Sequence, residues 1–189
     1  MTRVILPSHW VSRSAGMVAM CVVALALLAP RAYAQDPAFR STLSVAMGPT
    51  RPISARPPFD DAGNAYSAAI AVGDDFSTVG FALGYTVFGA SLFERQGAVV
   101  SQFELRADCA PLAPESISPY FRLGAGAYGL DAGGSTARRV GIATGAGIRW
   151  SPRWHSAVTL VATYHNVPAR ATTTRQWVSL TLELMRWMD

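Results

Sequence analysis

Lysine is absent from this 189-residue sequence, and charged residues make up only 15% of it. All 16 basic residues are arginines, against 12 acidic residues. A chain that is half hydrophobic and so sparsely charged does not have the composition of a disordered acidic or basic tail. Its length also excludes several full domains.

Cysteine and histidine are scarce as well, with two and three copies. Cys21 lies in an N-terminal segment that we expect to be removed, so Cys109 would have no intramolecular disulfide partner. His155 and His165 belong to no H-x-x-H or C-x-x-C pattern. A histidine-based metal site needs several converging ligands. We therefore expect neither a metal nor a cofactor.

The N-terminal segment has the features of an export signal. Arg3 and Arg13 precede an uncharged apolar run over residues 14–29, and Ala-Tyr-Ala follows at residues 32–34. The order of basic, apolar and small-x-small residues is typical of a cleavable secretory signal. A membrane-spanning helix needs about 20 apolar residues, and this run is shorter.

We predict a signal peptide over residues 1–34 and a single mature domain over residues 35–189. The mature domain carries 13 arginines and 12 acidic residues, a net charge of +1. It lacks the basic surplus that binding to the phosphates of a nucleic acid requires. We therefore expect no nucleic-acid partner.

Apolar residues alternate with polar or small ones along most of the mature domain, which predicts β-strands. No segment shows a sustained helical period. Glycines at alternate positions, such as Gly124 and Gly126, are costly in a helix, but in a strand they leave room for large facing side chains. The eight candidate strands cover residues 39–47, 66–72, 78–87, 102–108, 121–128, 140–150, 158–165 and 178–184.

The connections between these segments differ in length. The first, residues 48–64, contains four prolines, and the fifth, residues 130–138, is rich in glycine and serine. The sixth, residues 151–155, is short. Odd connections are mostly long and even ones mostly short, as expected for an up-and-down barrel with tight turns on its periplasmic side.

The two faces of the strands differ in chemistry. One face is continuously apolar, with Phe81, Leu105, Leu123 and Leu182 among its residues. The other holds glycine, alanine, serine, threonine and six charged residues: Glu104, Arg106, Asp108, Arg122, Arg149 and Glu183.

We expect the apolar face to contact lipid. A closed barrel can span a bilayer because all of its backbone N–H and C=O groups in the hydrocarbon are paired between strands. The charged residues should then fill a narrow lumen as a structural network in which the three arginines pair with the three acids. The predicted fold is all-β: an eight-stranded antiparallel up-and-down transmembrane β-barrel after a cleavable signal peptide.

Aromatic residues near the strand ends are expected to form two girdles at the membrane interfaces. They are Phe39, Tyr66, Phe88, Tyr120, Trp150, Trp154, Tyr164, Trp177 and Trp187.

A family resemblance rests on three features of the sequence: the Ala-Tyr-Ala end of the signal, the segment 120–128 with its alternating glycines, and the last strand, residues 177–187. In these features the chain resembles the small outer-membrane barrels of the OmpA, OmpW and OmpX type. The resemblance implies a monomer in the outer membrane that contacts its lipids and is inserted by the barrel-assembly machinery. Such barrels usually end on an aromatic residue. Here the last aromatic residue is Trp187, two positions before the final residue, and it does not belong to the outward face of the last strand.

The function expected from these features is that of a non-enzymatic outer-membrane barrel. It would have a structural role, an adhesive role through residues 48–64, or a porin-like role in limited passage of small solutes. One alternative is a lipid A-modifying acyl hydrolase or transferase that uses His165. Barrels of the deacylase type have a serine nucleophile two residues after the histidine. This chain has Val167 at that position. Another alternative is a soluble periplasmic barrel whose apolar faces surround a ligand cavity.

Overall fold

The protein forms one closed sheet of eight antiparallel strands in a computed structural model. The structure describes residues 40–53, 59, 61–74, 76–89, 97–111, 117–132, 135–153, 155–168 and 174–188. The predicted signal peptide, residues 1–34, lies outside them. Within the described ranges, no helix has the length and hydropathy needed to cross a bilayer.

Each strand pairs with its neighbours in the sequence, and β1 pairs with β8 to close the barrel. The up-and-down topology that the lengths of the connections predicted is confirmed. The strands are β1 (Arg40–Pro52), β2 (Gly63–Gly73), β3 (Ser77–Phe88), β4 (Ala98–Cys109), β5 (Ile117–Ala132), β6 (Ser135–Arg153), β7 (Ser156–Pro168) and β8 (Thr174–Met188).

The barrel has two distinct ends. At the terminal end β1 begins and β8 ends, and the connections β2–β3, β4–β5 and β6–β7 lie there. At the opposite end, called the distal end below, lie the connections β1–β2, β3–β4, β5–β6 and β7–β8. In outer-membrane barrels the tight turns lie on the periplasmic side, so the distal end corresponds to the outer surface.

The apolar face of each strand points outward, as predicted. Phe81, Leu105, Leu123 and Leu182 are 51%, 52%, 60% and 49% exposed. A continuous apolar surface of this kind is unfavourable in water and matches the hydrocarbon of a bilayer. The result contradicts the alternative of a soluble periplasmic barrel, because that protein would gather these side chains around a central cavity.

Two predicted connections are shorter than expected. β1 continues to Pro52 and β2 begins at Gly63, so residues 53–62 form the first connection instead of residues 48–64. β5 continues to Ala132 and β6 begins at Ser135, so only residues 133–134 join them. Polar composition suggested loops at these places. The polar residues at these two places instead form the ends of strands. There the pairing between neighbouring strands continues beyond the outward apolar side chains.

The predicted aromatic girdles are only partly present. Tyr66 and Trp150 are exposed and Tyr164 is half-buried, all on the outward face. The prediction was wrong for four aromatic residues, which are buried inside the barrel: Phe88, Tyr120, Trp177 and Trp187. Phe39 and Trp154 lie outside the described residues. Nearness to a strand end places a side chain at a certain height, but the parity of its position decides which face it occupies.

Candidate functional site

Four charged side chains meet across the middle of the lumen in what we call the ionic ring: Arg106 and Asp108 on β4, Arg122 on β5 and Glu183 on β8. Each of these side chains is at most 5% exposed. In the closed order of strands, β8 stands opposite β4. The ring therefore joins opposite walls of the barrel.

Each acid of the ionic ring contacts both arginines. Arg106 Nε lies 2.8 Å from Asp108 Oδ2, and Arg106 Nη2 lies 2.7 Å from Glu183 Oε1. Arg122 Nε lies 3.0 Å from Asp108 Oδ1, and Arg122 Nη2 contacts Glu183 Oε2. Two positive and two negative charges cancel, which limits the cost of burying them.

Two further hydrogen bonds attach the ionic ring to its surroundings. Arg106 Nη2 donates to the hydroxyl of Ser44 on β1 at 3.2 Å. Arg122 Nη2 donates to the hydroxyl of Tyr120 at 2.6 Å. The network thereby includes side chains from four strands, and its many buried contacts favour a single arrangement.

Glu104 has partners other than those the sequence predicted. Its carboxylate accepts a hydrogen bond from the Tyr128 hydroxyl, and its Oε1 lies 3.7 Å from His165 Nδ1. The prediction paired all three acids with arginines, which was wrong for Glu104. Gly124 leaves it room, because a Cβ there would lie 3.2 Å from Glu104 Oε2.

Arg149 lies apart from the ionic ring, nearer the terminal end. Its guanidinium lies 5.2 Å from the Tyr120 ring centre and 5.7 Å from that of Trp187, and its Nη2 lies 3.4 Å from the Met185 sulfur. Aromatic faces attract a cation by their electron density. Trp187, predicted to be off the outward register, therefore contacts a lumenal arginine.

The distal half of the lumen is filled by apolar side chains, which we call the apolar plug. The plug consists of Phe59, Phe88, Ala98, Val100, Tyr128, Leu130, Val167 and Trp177. Its rings pack edge to face, with centres 6.0 Å apart for Phe88 and Trp177 and 5.9 Å apart for Tyr128 and Trp177. Such contacts add to the stabilisation that burial provides.

His165 points into the lumen and is buried. Its ring stacks on that of Trp177 at 4.8 Å, and its Nδ1 lies 3.4 Å from the Tyr128 hydroxyl. The lipid-modifying alternative requires a hydroxyl nucleophile beside His165 on the outer face. His165 is on the other face, so the structure does not support that alternative.

The described residues contain no group of three or more His, Cys, Asp and Glu side chains placed to hold a metal ion. The six charged residues predicted for the lumen are all buried in it. Sequence reasoning missed the aromatic contribution to the same space. The available signal was parity, since Tyr120 precedes Arg122 by two residues and Trp177 precedes lumenal Ser179 by two.

No family model and no curated protein sequence matches the chain. Solved structures do match its fold. Neisserial surface protein A matches with a TM-score of 0.56 and 13% identity, over 79% of this chain and 97% of that one. The N-terminal β-barrel domain of Pseudomonas aeruginosa OprF matches with a TM-score of 0.54 and 14% identity, over 79% and 98%. With its closed eight-stranded sheet and outward apolar face, the chain has the fold of the small eight-stranded outer-membrane β-barrels.

Proposed function

We propose that this protein is an integral outer-membrane β-barrel with a structural, non-catalytic role and a lumen that does not conduct solutes. The observation that carries the proposal is the filling of the lumen at two levels. The ionic ring joins β4 and β5 to β8 across the centre, and the apolar plug occupies the distal half. An eight-stranded barrel encloses only enough space for such side chains.

The outward surface supports the membrane location. Large apolar side chains on all eight strands face away from the lumen, and a closed sheet leaves no unpaired edge in the hydrocarbon. Partners in this proposal are the surrounding lipids and the machinery that inserts the barrel. Adhesion would depend on a shorter segment than predicted, residues 53–62, because the remainder of residues 48–64 is strand.

Passage of small solutes is the closest competing function, and conductance distinguishes the two. We expect the purified barrel in a planar bilayer to give no discrete conductance steps above the lipid baseline. The double variant F88A/W177A, which removes two rings of the apolar plug, should give more frequent conductance events. Phe81→Ala, which removes one ring from the outward face, serves as the control and should remain silent.

Stable ion-selective steps from the unmodified protein would contradict a closed lumen. Membrane location is tested separately by fractionation. The protein should remain with the outer membrane until detergent is added, and it should migrate differently on gels before and after boiling. Release into buffer by osmotic shock would contradict membrane insertion.

A further inference from the structure

An apolar groove runs along β5 on the outward face of the barrel, and we call it the β5 groove. Its floor consists of three small outward residues of that strand: Ala125, Ala127 and Gly129. The strands β4 and β6 form its walls, and their backbones are about 10 Å apart, twice the spacing of neighbouring strands. The residues opposite the floor are, in the same order, Leu105 and Ile142, Phe103 and Val140, and Ser101 and Arg138.

The walls of the β5 groove stand clear of its floor. Phe103 is 49% exposed, and its ring stacks on that of Phe81 on β3, with centres 5.6 Å apart and planes 10° apart. Because β3 lies on the side of β4 away from β5, this contact leaves Ala127 exposed. Val140 on the other wall is 75% exposed. A hydrocarbon chain in the groove would contact both walls and the floor, which gives more close contacts than a flat surface offers.

The distal end of the β5 groove is polar. The Ser101 hydroxyl lies 3.5 Å from the carbonyl oxygen of Gly129, so it leans over the floor. Arg138 is exposed on the opposite wall. All ion pairs between described residues lie in the lumen, so Arg138 has no carboxylate partner among them. Asp131, the next outward residue of β5, is exposed about 7 Å further along the strand and beyond the groove.

We propose that the β5 groove binds one phosphate-bearing lipid of the outer leaflet. The phosphate accepts hydrogen bonds from the Arg138 guanidinium and the Ser101 hydroxyl, and one acyl chain packs between Phe103 and Val140. A guanidinium matches the geometry of a phosphate and binds it through charge-assisted hydrogen bonds.

The orientation of the barrel agrees with this occupant. The distal end corresponds to the outer surface, so a lipid with its phosphate at Arg138 directs its chain along the groove toward the middle of the bilayer. There the groove ends at Leu123, which is 60% exposed. The site goes beyond the proposed function and rests on it only because the outward face must meet lipid.

The test is an NMR titration of the refolded ¹⁵N-labelled barrel in dodecyl maltoside micelles, with dihexanoyl phosphatidic acid as the probe. Dihexanoylglycerol, which has the same chains and no phosphate, is the comparison. We expect the backbone amide resonance of Gly129 to shift saturably with the phosphatidic acid, and the glyceride to bind at least tenfold more weakly. Arg138→Gln should weaken the apparent affinity for the phosphatidic acid at least tenfold. Ala127→Phe, whose ring fills the groove, should do the same.

Two matched controls separate the groove from the rest of the outward face. Arg51→Gln removes an exposed outward arginine at the same end of β1, and Ala162→Phe adds a ring to an exposed outward position on β7. Both should bind the probe as the unmodified barrel does, and heat-modifiability on gels should show that each variant is folded.

The proposal is overturned if the glyceride binds as tightly as the phosphatidic acid, or if folded Arg138→Gln or Ala127→Phe keeps its affinity. Equal weakening in the two controls would also overturn it. These measurements are made on the folded barrel in micelles, so failure of the site is distinguishable from failure of membrane insertion, which fractionation tests.

Discussion

Glu183 is the residue on which the lumenal charge arrangement most depends. Its two carboxylate oxygens contact the two arginines of the ionic ring separately, and the side chain is fully buried. Asp108 contacts the same two arginines from the other side. Removing one acid leaves two buried guanidinium groups with a single counter-charge, a situation far less favourable than losing a charge at the surface.

Glu183→Gln should therefore lower the free energy of unfolding by about 3–5 kcal/mol, the usual cost of breaking a buried ion pair from one side. Urea unfolding in detergent micelles or lipid vesicles measures it. The double variant E183Q/R122Q restores neutrality, because Arg106 and Asp108 remain paired, and it should be more stable than the single variant. A double variant that is less stable than the single one would contradict this account.

At the scale of the element, the β2–β3 turn shows how a short connection is specified. Asp74 Oδ1 accepts hydrogen bonds from the backbone N–H groups of Phe76 at 2.9 Å and Ser77 at 2.6 Å. The Ser77 hydroxyl adds a third at 3.2 Å. An aspartate that accepts bonds from the following backbone is a common way to define a tight turn.

These bonds, above all the one from the Ser77 backbone, lower the pKa of Asp74 below its ordinary value of 3.8. The turn is therefore stabilised by the ionised form, and that contribution is present above pH 3.8. It is lost as the pH falls through the lowered folded-state pKa. Carboxyl ¹³C chemical shifts measured against pH should give a midpoint below 3.8, whereas Ser77→Ala, which keeps both backbone bonds, should raise it only slightly. A midpoint at or above 3.8 would show that these bonds are absent.

The packing of β6 against the apolar plug depends on Gly141. A Cβ at this position would lie 2.8 Å from Val167 Cγ2 and 2.9 Å from Tyr128 Cε2. Gly141→Ala should therefore destabilise the barrel by about 1–3 kcal/mol through overpacking. Gly124→Ala is the comparison, because its nearest side-chain neighbours would lie at 3.2 Å and 3.5 Å. Equal urea midpoints for the two variants would contradict the role of Gly141 in close packing.

For the whole molecule, the outward apolar surface determines the medium in which the barrel is stable. Leu123 lies near the middle of β5 and faces away from the lumen. Leu123→Arg should lower stability in lipid vesicles by about 2–4 kcal/mol, the cost of an arginine near the middle of a bilayer.

Thr136→Arg is the control for this variant, because Thr136 is exposed beside the β5–β6 connection. It should change the urea midpoint in vesicles little, since charge near the interface costs much less. An equal loss of stability in both variants would show that Leu123 does not face hydrocarbon.

Sequence alone was enough to predict the eight strands, the direction each face points and the lumenal position of the six charged residues. The alternation of apolar and polar residues with a period of two is a local property of a strand, so it can be recognised in the sequence. Loop composition was a weaker guide, and it misplaced the strand ends near Pro52 and Ser135.

Only the tertiary structure decided which lumenal side chains meet. Glu183 contacts arginines 77 and 61 positions earlier in the chain, while Glu104 turns to Tyr128 and His165. Parity assigns a residue to the lumen, but its partner across the barrel depends on how the sheet closes and how far the strands are staggered. The closure of the sheet and the stagger of its strands are properties of the whole barrel, and the sequence of a single strand does not determine them.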